Sequence, residues 1–92
     1  MNPFERRRKR LPKVVRRKLG REFAYGQYHD WLIEIDDRLR GKAELIILIH
    51  EMLHHLMPQA TEQQVIEWSN ELAALLWREG YRYTDNEQTI PD

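Results

Sequence analysis

The feature that most constrains this chain is an apolar helical stretch that carries histidines and a glutamate at fixed spacing. Residues 45–57 are apolar apart from His50, Glu51, His54 and His55, and contain an H-E-x-x-H pattern at positions 50–54. Positions i and i+4 of an α-helix lie on one face, so His50 and His54 can direct both imidazoles at a single metal ion. Glu51 is rotated by about 100° from His50. That position suits a general base that acts on a metal-bound water.

The surroundings of the motif favour a metal site over a chance match. The flanking residues make the helix apolar nearly all round, which predicts that it is buried. Buried polar groups need partners, and a metal ion with an activated water would satisfy His50, Glu51 and His54 together. Zinc is the first candidate, one ion per chain, and the absence of cysteine excludes a thiolate site. The alternative is that these are polar residues on a helix edge.

The motif resembles the active-site helix of zincin metallopeptidases, in a minimal single-domain form similar to SprT-like proteins and small phage or prokaryotic zincins. The resemblance is specific over residues 50–54 and loose over about residues 28–80. It implies a zinc ion bound by His50, His54 and a third protein ligand. It further implies an endopeptidase that hydrolyses peptide or protein substrates through a zinc-activated water, with Glu51 as general base.

The third ligand does not follow the better-known zincin patterns. The metzincin pattern would place a glycine and a histidine where this chain has Met57 and Ala60. The gluzincin pattern places a glutamate about twenty residues after the second histidine, where this chain has Ala73 and Ala74. The third ligand must therefore be chosen by geometry.

Three glutamates compete for this role: Glu62, Glu67 and Glu71. Pro58 ends the histidine helix, and Thr61 has the pattern of an N-cap with a capping box, so two tightly joined helices should run antiparallel. On the second helix Glu62 shares the apolar stripe, whereas Glu67 and Glu71 lie about 140° and 180° away. This phase favours Glu62 as the ligand. Alternatively, Glu62 only complements the positive N-terminus of its helix.

The net charge is zero over the whole chain, but the charges are separated along it. Residues 1–21 contain ten lysines or arginines and one acid, whereas residues 22–92 contain five basic and fourteen acidic residues. The first segment therefore carries +9 and the remainder −9. This polarity is compatible with an arm that contacts nucleic acid, an acidic partner or the acidic body of its own fold.

Within this basic arm, residues 12–19 followed by Gly20 predict a short amphipathic helix, with proline in its first turn and glycine just past its end. One hypothesis is that the basic residues contact nucleic acid. The alternative is that they dock on the acidic part of the same chain or only increase its solubility. No helix-turn-helix, zinc-finger or base-stacking signature supports the former. The candidate contact residues are Arg6, Arg7, Arg8, Lys9, Arg10, Arg16, Arg17 and Lys18.

Residues 23–36 are rich in aromatic and β-branched residues, which favours strands. A bend is predicted at residues 25–27, followed by a strand in which His29, Trp31, Ile33 and Ile35 share one face. The zincin resemblance implies that part of residues 28–36 pairs with the substrate backbone. His29 is either a further ligand or second-shell group, or a surface histidine.

The last helix is predicted over residues 61–79 with Gly80 as its C-cap. Its tryptophans and leucines are interpreted as core rather than substrate pocket. Tyr81 and Tyr83 follow it, and either hydroxyl could donate to an oxyanion or contact substrate if it approaches the metal. Residues 84–92 form a polar tail.

These observations predict an α+β fold, in which a short β-hairpin or small sheet packs on about three helices. The predicted domains are a basic arm at 1–21, a zincin-like metal-binding domain at 22–83 and the tail at 84–92. No apolar run approaches the length of a membrane span, no signal peptide is present and cysteine is absent, so we expect a cytoplasmic protein. The alternative function is a non-catalytic zinc-binding module that acts in protein or nucleic-acid binding.

Overall fold

A computed structural model describes residues 10–20 and 24–84 as three strands followed by two helices. The elements are β1 (Lys13–Arg17), β2 (Gly26–His29), β3 (Leu32–Asp36), α1 (Gly41–Leu56) and α2 (Glu62–Arg78). The predicted α+β class and the small sheet are confirmed, but the described part of the chain contains two helices rather than three. None of the helices in these ranges is long and apolar enough to cross a membrane.

The sheet has the order β1-β3-β2, with β1 parallel and β2 antiparallel to the central strand β3. Ile33 and Ile35 of β3 are 1% and 0% exposed and form the core under α1. The alternate residues Glu34 and Asp36 are also buried. Each carboxylate accepts hydrogen bonds from neighbouring side chains, which offset the cost of burying its charge. The central strand therefore has an apolar face toward the helices and an ion-paired face opposite.

The predicted helix at residues 12–19 is wrong, because residues 13–17 form strand β1. Val14 pairs with Ile33 and Val15 with Glu34 in the parallel ladder. An isolated helix this short is marginal in water, whereas β-branched valines suit a strand that gains backbone hydrogen bonds from β3. Residues 13–17 thus belong to the sheet of the main domain and are not part of a separate arm.

The bend predicted at residues 25–27 is found at Tyr25, but the strand predicted after it is interrupted by a turn. Residues 26–29 form β2, and the chain reverses at Asp30 and Trp31, which both have positive φ (49° and 65°). Two-residue hairpin turns favour this left-handed conformation because it matches the twist of the strands. This turn changes which side chains share a face of the sheet. His29 pairs with Leu32 and lies on the same face as Glu34, whereas Ile33 and Ile35 lie on the other face.

Glu34 is the centre of the polar face of the sheet. Its carboxylate accepts hydrogen bonds from Arg17 Nε and from Gln27 Nε2 at 2.7 Å, and His29 Nε2 lies 3.3 Å away. The Arg17 guanidinium, followed by the Gln27 amide, lowers the pKa of Glu34 to about 2. The folded state thus favours the ionised carboxylate more strongly than the unfolded chain does.

We predict that this pKa shift makes the fold acid-sensitive. A carboxyl group whose folded pKa is depressed stabilises the fold above its unfolded pKa of about 4.3, and this stability is lost as the pH falls toward the folded value. Glu34→Gln should therefore flatten the decline in melting temperature between about pH 5 and pH 2.5. The exposed Glu67→Gln is the matched control and should decline as the parent does. Parallel curves for parent and Glu34→Gln would contradict the assignment.

Candidate metal centre

The short connection between α1 and α2 sets the geometry of the candidate site. The predicted capping box at the start of α2 is confirmed: Gln64 N donates to Thr61 Oγ1 at 3.1 Å and Thr61 N donates to Gln64 Oε1 at 3.0 Å. This cap begins the helix at Glu62, beside the last turns of α1. At the other end of α2, Trp77 lies against Gly41, the first residue of α1. The two helices therefore lie side by side with opposite directions.

His50, His54 and Glu62 are brought together by this arrangement. His50 Nε2 lies 3.1 Å from His54 Nε2, and the Glu62 carboxylate oxygens lie 2.8 Å from His50 Nε2 and 3.3 Å from His54 Nε2. One ligand atom from each residue fits within a span of 4.8 Å. Two imidazole nitrogens and one carboxylate oxygen form a donor set that suits zinc.

The exposure of these side chains changes across the cluster. The His50 side chain is 16% exposed, that of His54 31% and that of Glu62 61%. The cluster therefore has a protein-facing side and a solvent-facing side. An ion held here would keep an open position for water or substrate, as catalytic rather than structural zinc sites do.

The two competing glutamates lie elsewhere on α2. Glu67 Oε1 accepts a hydrogen bond from Gln63 Nε2 at 3.0 Å on the exposed side of the helix. Glu71 lines an apolar surface groove together with Leu53 and Leu72. Neither joins the cluster of possible metal ligands. The helical phase of Glu62 thus predicted which glutamate lies beside the histidines.

Glu51 lies one residue after His50 and points into the protein. It is 6% exposed and packs under β2, where its Cγ is close to Gly26. Burial, and secondarily the negative charge of Glu62, raise the pKa of Glu51 to about 7. A carboxyl group with a pKa near neutrality can both accept and return a proton at physiological pH.

Gly26 makes this close packing of Glu51 possible. A Cβ atom at position 26 would lie 2.5 Å from Ile47 Cγ2, 3.2 Å from the Glu34 carbonyl oxygen and 3.3 Å from Glu51 Cγ. The first distance is well inside van der Waals contact, so the Ile47 side chain, α1 or β2 would have to move. The glycine therefore fixes how closely the edge strand approaches the general-base candidate.

We predict that Gly26→Ala destabilises the fold by about 1–3 kcal/mol through overpacking. The new methyl group should also displace the Glu51 side chain. Gly20→Ala is the matched control, since the nearest atoms to its new Cβ among the described residues belong to the Arg38 guanidinium, at 3.5 Å or more. That control should remain within about 0.5 kcal/mol of the parent. Chemical denaturation measures both variants. Equal stability of Gly26→Ala and Gly20→Ala would show that the contact is not tight.

A second group beside the site joins the hairpin to α1. The Tyr28 hydroxyl and His55 Nδ1 are 2.7 Å apart, and the Trp31 ring packs edge-on against the His55 ring with centroids 4.4 Å apart. These residues hold the β2–β3 turn against the last turn of α1, next to His54. The sequence pattern alone did not indicate a role for Tyr28 or His55. The signal available was the position of Tyr28 on the strand that precedes the motif.

Three other predicted site residues do not join the metal cluster. His29 is exposed and lies by Glu34 on the opposite face of the sheet, as a surface histidine would. Tyr83 stacks with Arg16 near the start of α1. Tyr81 follows α2, whose 17 residues place its end about 25 Å from Glu62. The tyrosines are therefore not positioned as oxyanion donors, because residues 81–83 lie at the end of the α1–α2 pair that is far from Glu62.

The basic residues proposed for nucleic-acid contact are distributed differently from the prediction. Arg6, Arg7, Arg8 and Lys9 lie outside the described residues. Arg10 lies over the Trp31 ring at 5.0 Å, and Lys18 is exposed. Arg16 pairs with Glu44 at 2.8 Å, and Arg17 pairs with Glu34. These pairs match the alternative in which basic residues contact the acidic body of the same fold.

A comparison of the chain with known proteins found no matching family model, no matching curated protein and no matching solved structure.

Proposed function

We propose that this protein is a zinc-dependent peptidase with a minimal zincin-like site. The observation that carries the proposal is the convergence of His50, His54 and Glu62, with their ligand atoms within 4.8 Å of one another, beside the buried Glu51. A chance H-E-x-x-H match would not require a third donor from another helix. The open, solvent-facing side of the cluster supports catalysis over a purely structural role.

Each residue has a separate role in this proposal. His50, His54 and Glu62 would hold the ion, which when bound would supply a water of lowered pKa and polarise the scissile carbonyl. Glu51 would accept the proton of the attacking water and return it to the leaving amine. Without the ion, burial raises the pKa of Glu51; the positive charge of a bound ion would lower that pKa and favour the ionised carboxylate that accepts the proton.

Strand β2 supplies a surface for the peptide backbone of the substrate. It lies at the edge of the described sheet and packs on α1, next to the motif. An extended peptide can add to such an edge through main-chain hydrogen bonds, which bind without demanding a particular sequence. The Tyr28–His55 hydrogen bond would hold this edge in place beside the metal ligands.

The test is hydrolysis of an unfolded protein by purified, zinc-loaded protein, with dye-quenched casein as the probe. Cleavage should require zinc and stop on chelation. Zinc binding without cleavage of casein or of a peptide library would instead assign the non-catalytic module. Cleavage that persists after complete removal of metal would show that the proposed site is not responsible.

A further inference from the structure

A separate cleft lies at the opposite end of α1 from the metal centre. It encloses about 450 Å³ between the end of β1, the start of α1 and the chain after α2. Glu44, one of its residues, is six positions from His50 and ten from His54, or about 9 and 15 Å along the helix. The lining residues are Arg16, Asp37, Arg40, Gly41, Glu44, Trp77, Arg82 and Tyr83.

Two of the three arginines in this cleft are held by aromatic rings. The Arg16 guanidinium carbon lies 4.0 Å from the Tyr83 ring centroid, and that of Arg82 lies 3.4 Å from the Trp77 ring centroid. Arg16 Nε donates a hydrogen bond to the Glu44 carboxylate, and one terminal nitrogen of Arg82 donates a hydrogen bond to the Trp77 carbonyl at 2.8 Å. These contacts orient the guanidinium groups and leave further N–H groups on each for a ligand.

Arg40 completes the set on the loop before α1. One of its terminal nitrogens donates to the carbonyls of Asp37 and Leu39, the latter at 2.8 Å. Because these acceptors are backbone oxygens, the positive charge of Arg40 is not neutralised by the bond. The negative charge of Glu44 is neutralised by Arg16. The second acidic residue of the lining is Asp37, and its single negative charge is smaller than the two positive charges of Arg40 and Arg82.

The distribution of charge along the chain points to the same end of the molecule. Residues 22–92 carry a net −9. Their five basic residues nevertheless all occur in two segments, one immediately before or within the first turn of α1 and the other at or just after the end of α2. They are Arg38, Arg40, Lys42, Arg78 and Arg82. Arg40 and Arg82 line the cleft, whereas Arg38 pairs with Asp36 and Arg78 with Glu79.

We propose that this cleft binds the phosphate group of a phosphorylated ligand. Guanidinium groups bind phosphate oxygens through paired N–H donors, and three of them can surround an anion that has several terminal oxygens. Trp77 and Tyr83 supply flat apolar surface beside the charges. The same chemistry serves a free nucleotide or the phosphodiester backbone of an oligonucleotide, and the two sources are separated by experiment.

The test uses the full chain with two probes, ATP by calorimetry and a fluorescent single-stranded 12-mer DNA by anisotropy. Arg40→Gln and Arg82→Gln should each weaken binding by about tenfold or more, because each removes charged hydrogen bonds to phosphate. Arg78→Gln is the matched control. It removes the same charge from a 74% exposed side chain that does not line the cleft, and should change affinity by less than about threefold.

The pattern across variants decides the proposal and the source of the phosphate. Binding of ATP with this pattern supports a site for a free phosphorylated molecule. Binding of DNA alone, with the same pattern and a steep loss on adding salt, supports a phosphodiester ligand. Equal losses in all three variants would show diffuse charge attraction and overturn the proposal, as would no binding of either probe at low salt. Each variant's melting temperature, unchanged from the parent, excludes misfolding as the cause.

Discussion

Glu51→Gln should lower kcat/KM for casein hydrolysis by about 10²–10⁴-fold, the usual contribution of a general base, while zinc stays bound. The amide has nearly the shape of the carboxylate but cannot accept the proton of an attacking water. Glu51 is not part of the His50–His54–Glu62 cluster, so its replacement removes no metal donor. Activity and metal content should therefore separate in this variant.

The loss should not come from unfolding. Burial raises the pKa of Glu51 in the folded state, so without metal the ionised carboxylate destabilises the fold increasingly as the pH rises from about 4.3 toward 7. A neutral glutamine removes this effect, and the melting temperature at pH 7.5 should be unchanged or higher. Glu71→Gln, an exposed substitution on α2, is the activity control. If Glu51→Gln keeps activity within threefold of the parent, Glu51 is not the base.

Zinc should stabilise the parent protein strongly, and Glu62→Ala should lose most of that effect. An ion that binds only the folded state at a thousand times its Kd adds about 4 kcal/mol. For a domain of this size such a gain raises Tm by roughly 15–30 °C. Glu62→Ala removes one of the three metal donors and should reduce the zinc-induced rise in Tm to a small fraction of the rise in the parent. The zinc-induced rise in Tm should also become smaller in acid, because metal binding requires deprotonated ligands.

The matched control for this experiment is Glu67→Ala, one helical turn and a further residue along α2. It removes the same carboxylate from an exposed position whose hydrogen bond is to Gln63 alone among the described residues. Its zinc-induced shift should equal that of the parent. Equal shifts in Glu62→Ala and the parent would exclude Glu62 as a ligand and leave His50 and His54 with another donor.

The parts of the structure that depend on local spacing were predictable from the sequence. The i, i+4 spacing placed His50 beside His54, Pro58 and the Thr61 capping box set the start of α2, and the phase of α2 selected Glu62 over the other glutamates. Each of these relations is determined within a few residues of chain. Because an α-helix has a fixed rise and rotation per residue, these local relations determine the relative positions of the side chains.

The parts that depend on distant pairing were not predictable in this way. Residues 13–17 have helical spacing, but their pairing with β3, nineteen positions further along the chain, overrides the local pattern. The hairpin turn contains Trp31 at positive φ, a conformation for which tryptophan gives no signal. The arginine cleft combines β1, the α1 entrance and the chain after α2, so no single segment revealed it.

The most direct test of the central claim is the zinc content of purified protein by elemental analysis, with Glu51→Gln, Glu62→Ala and Glu67→Ala alongside the parent. We expect one zinc per chain in the parent, in Glu51→Gln and in Glu67→Ala, and clearly less in Glu62→Ala. No bound zinc in the parent, together with no rise in Tm when zinc is added, would contradict a metal centre at His50, His54 and Glu62.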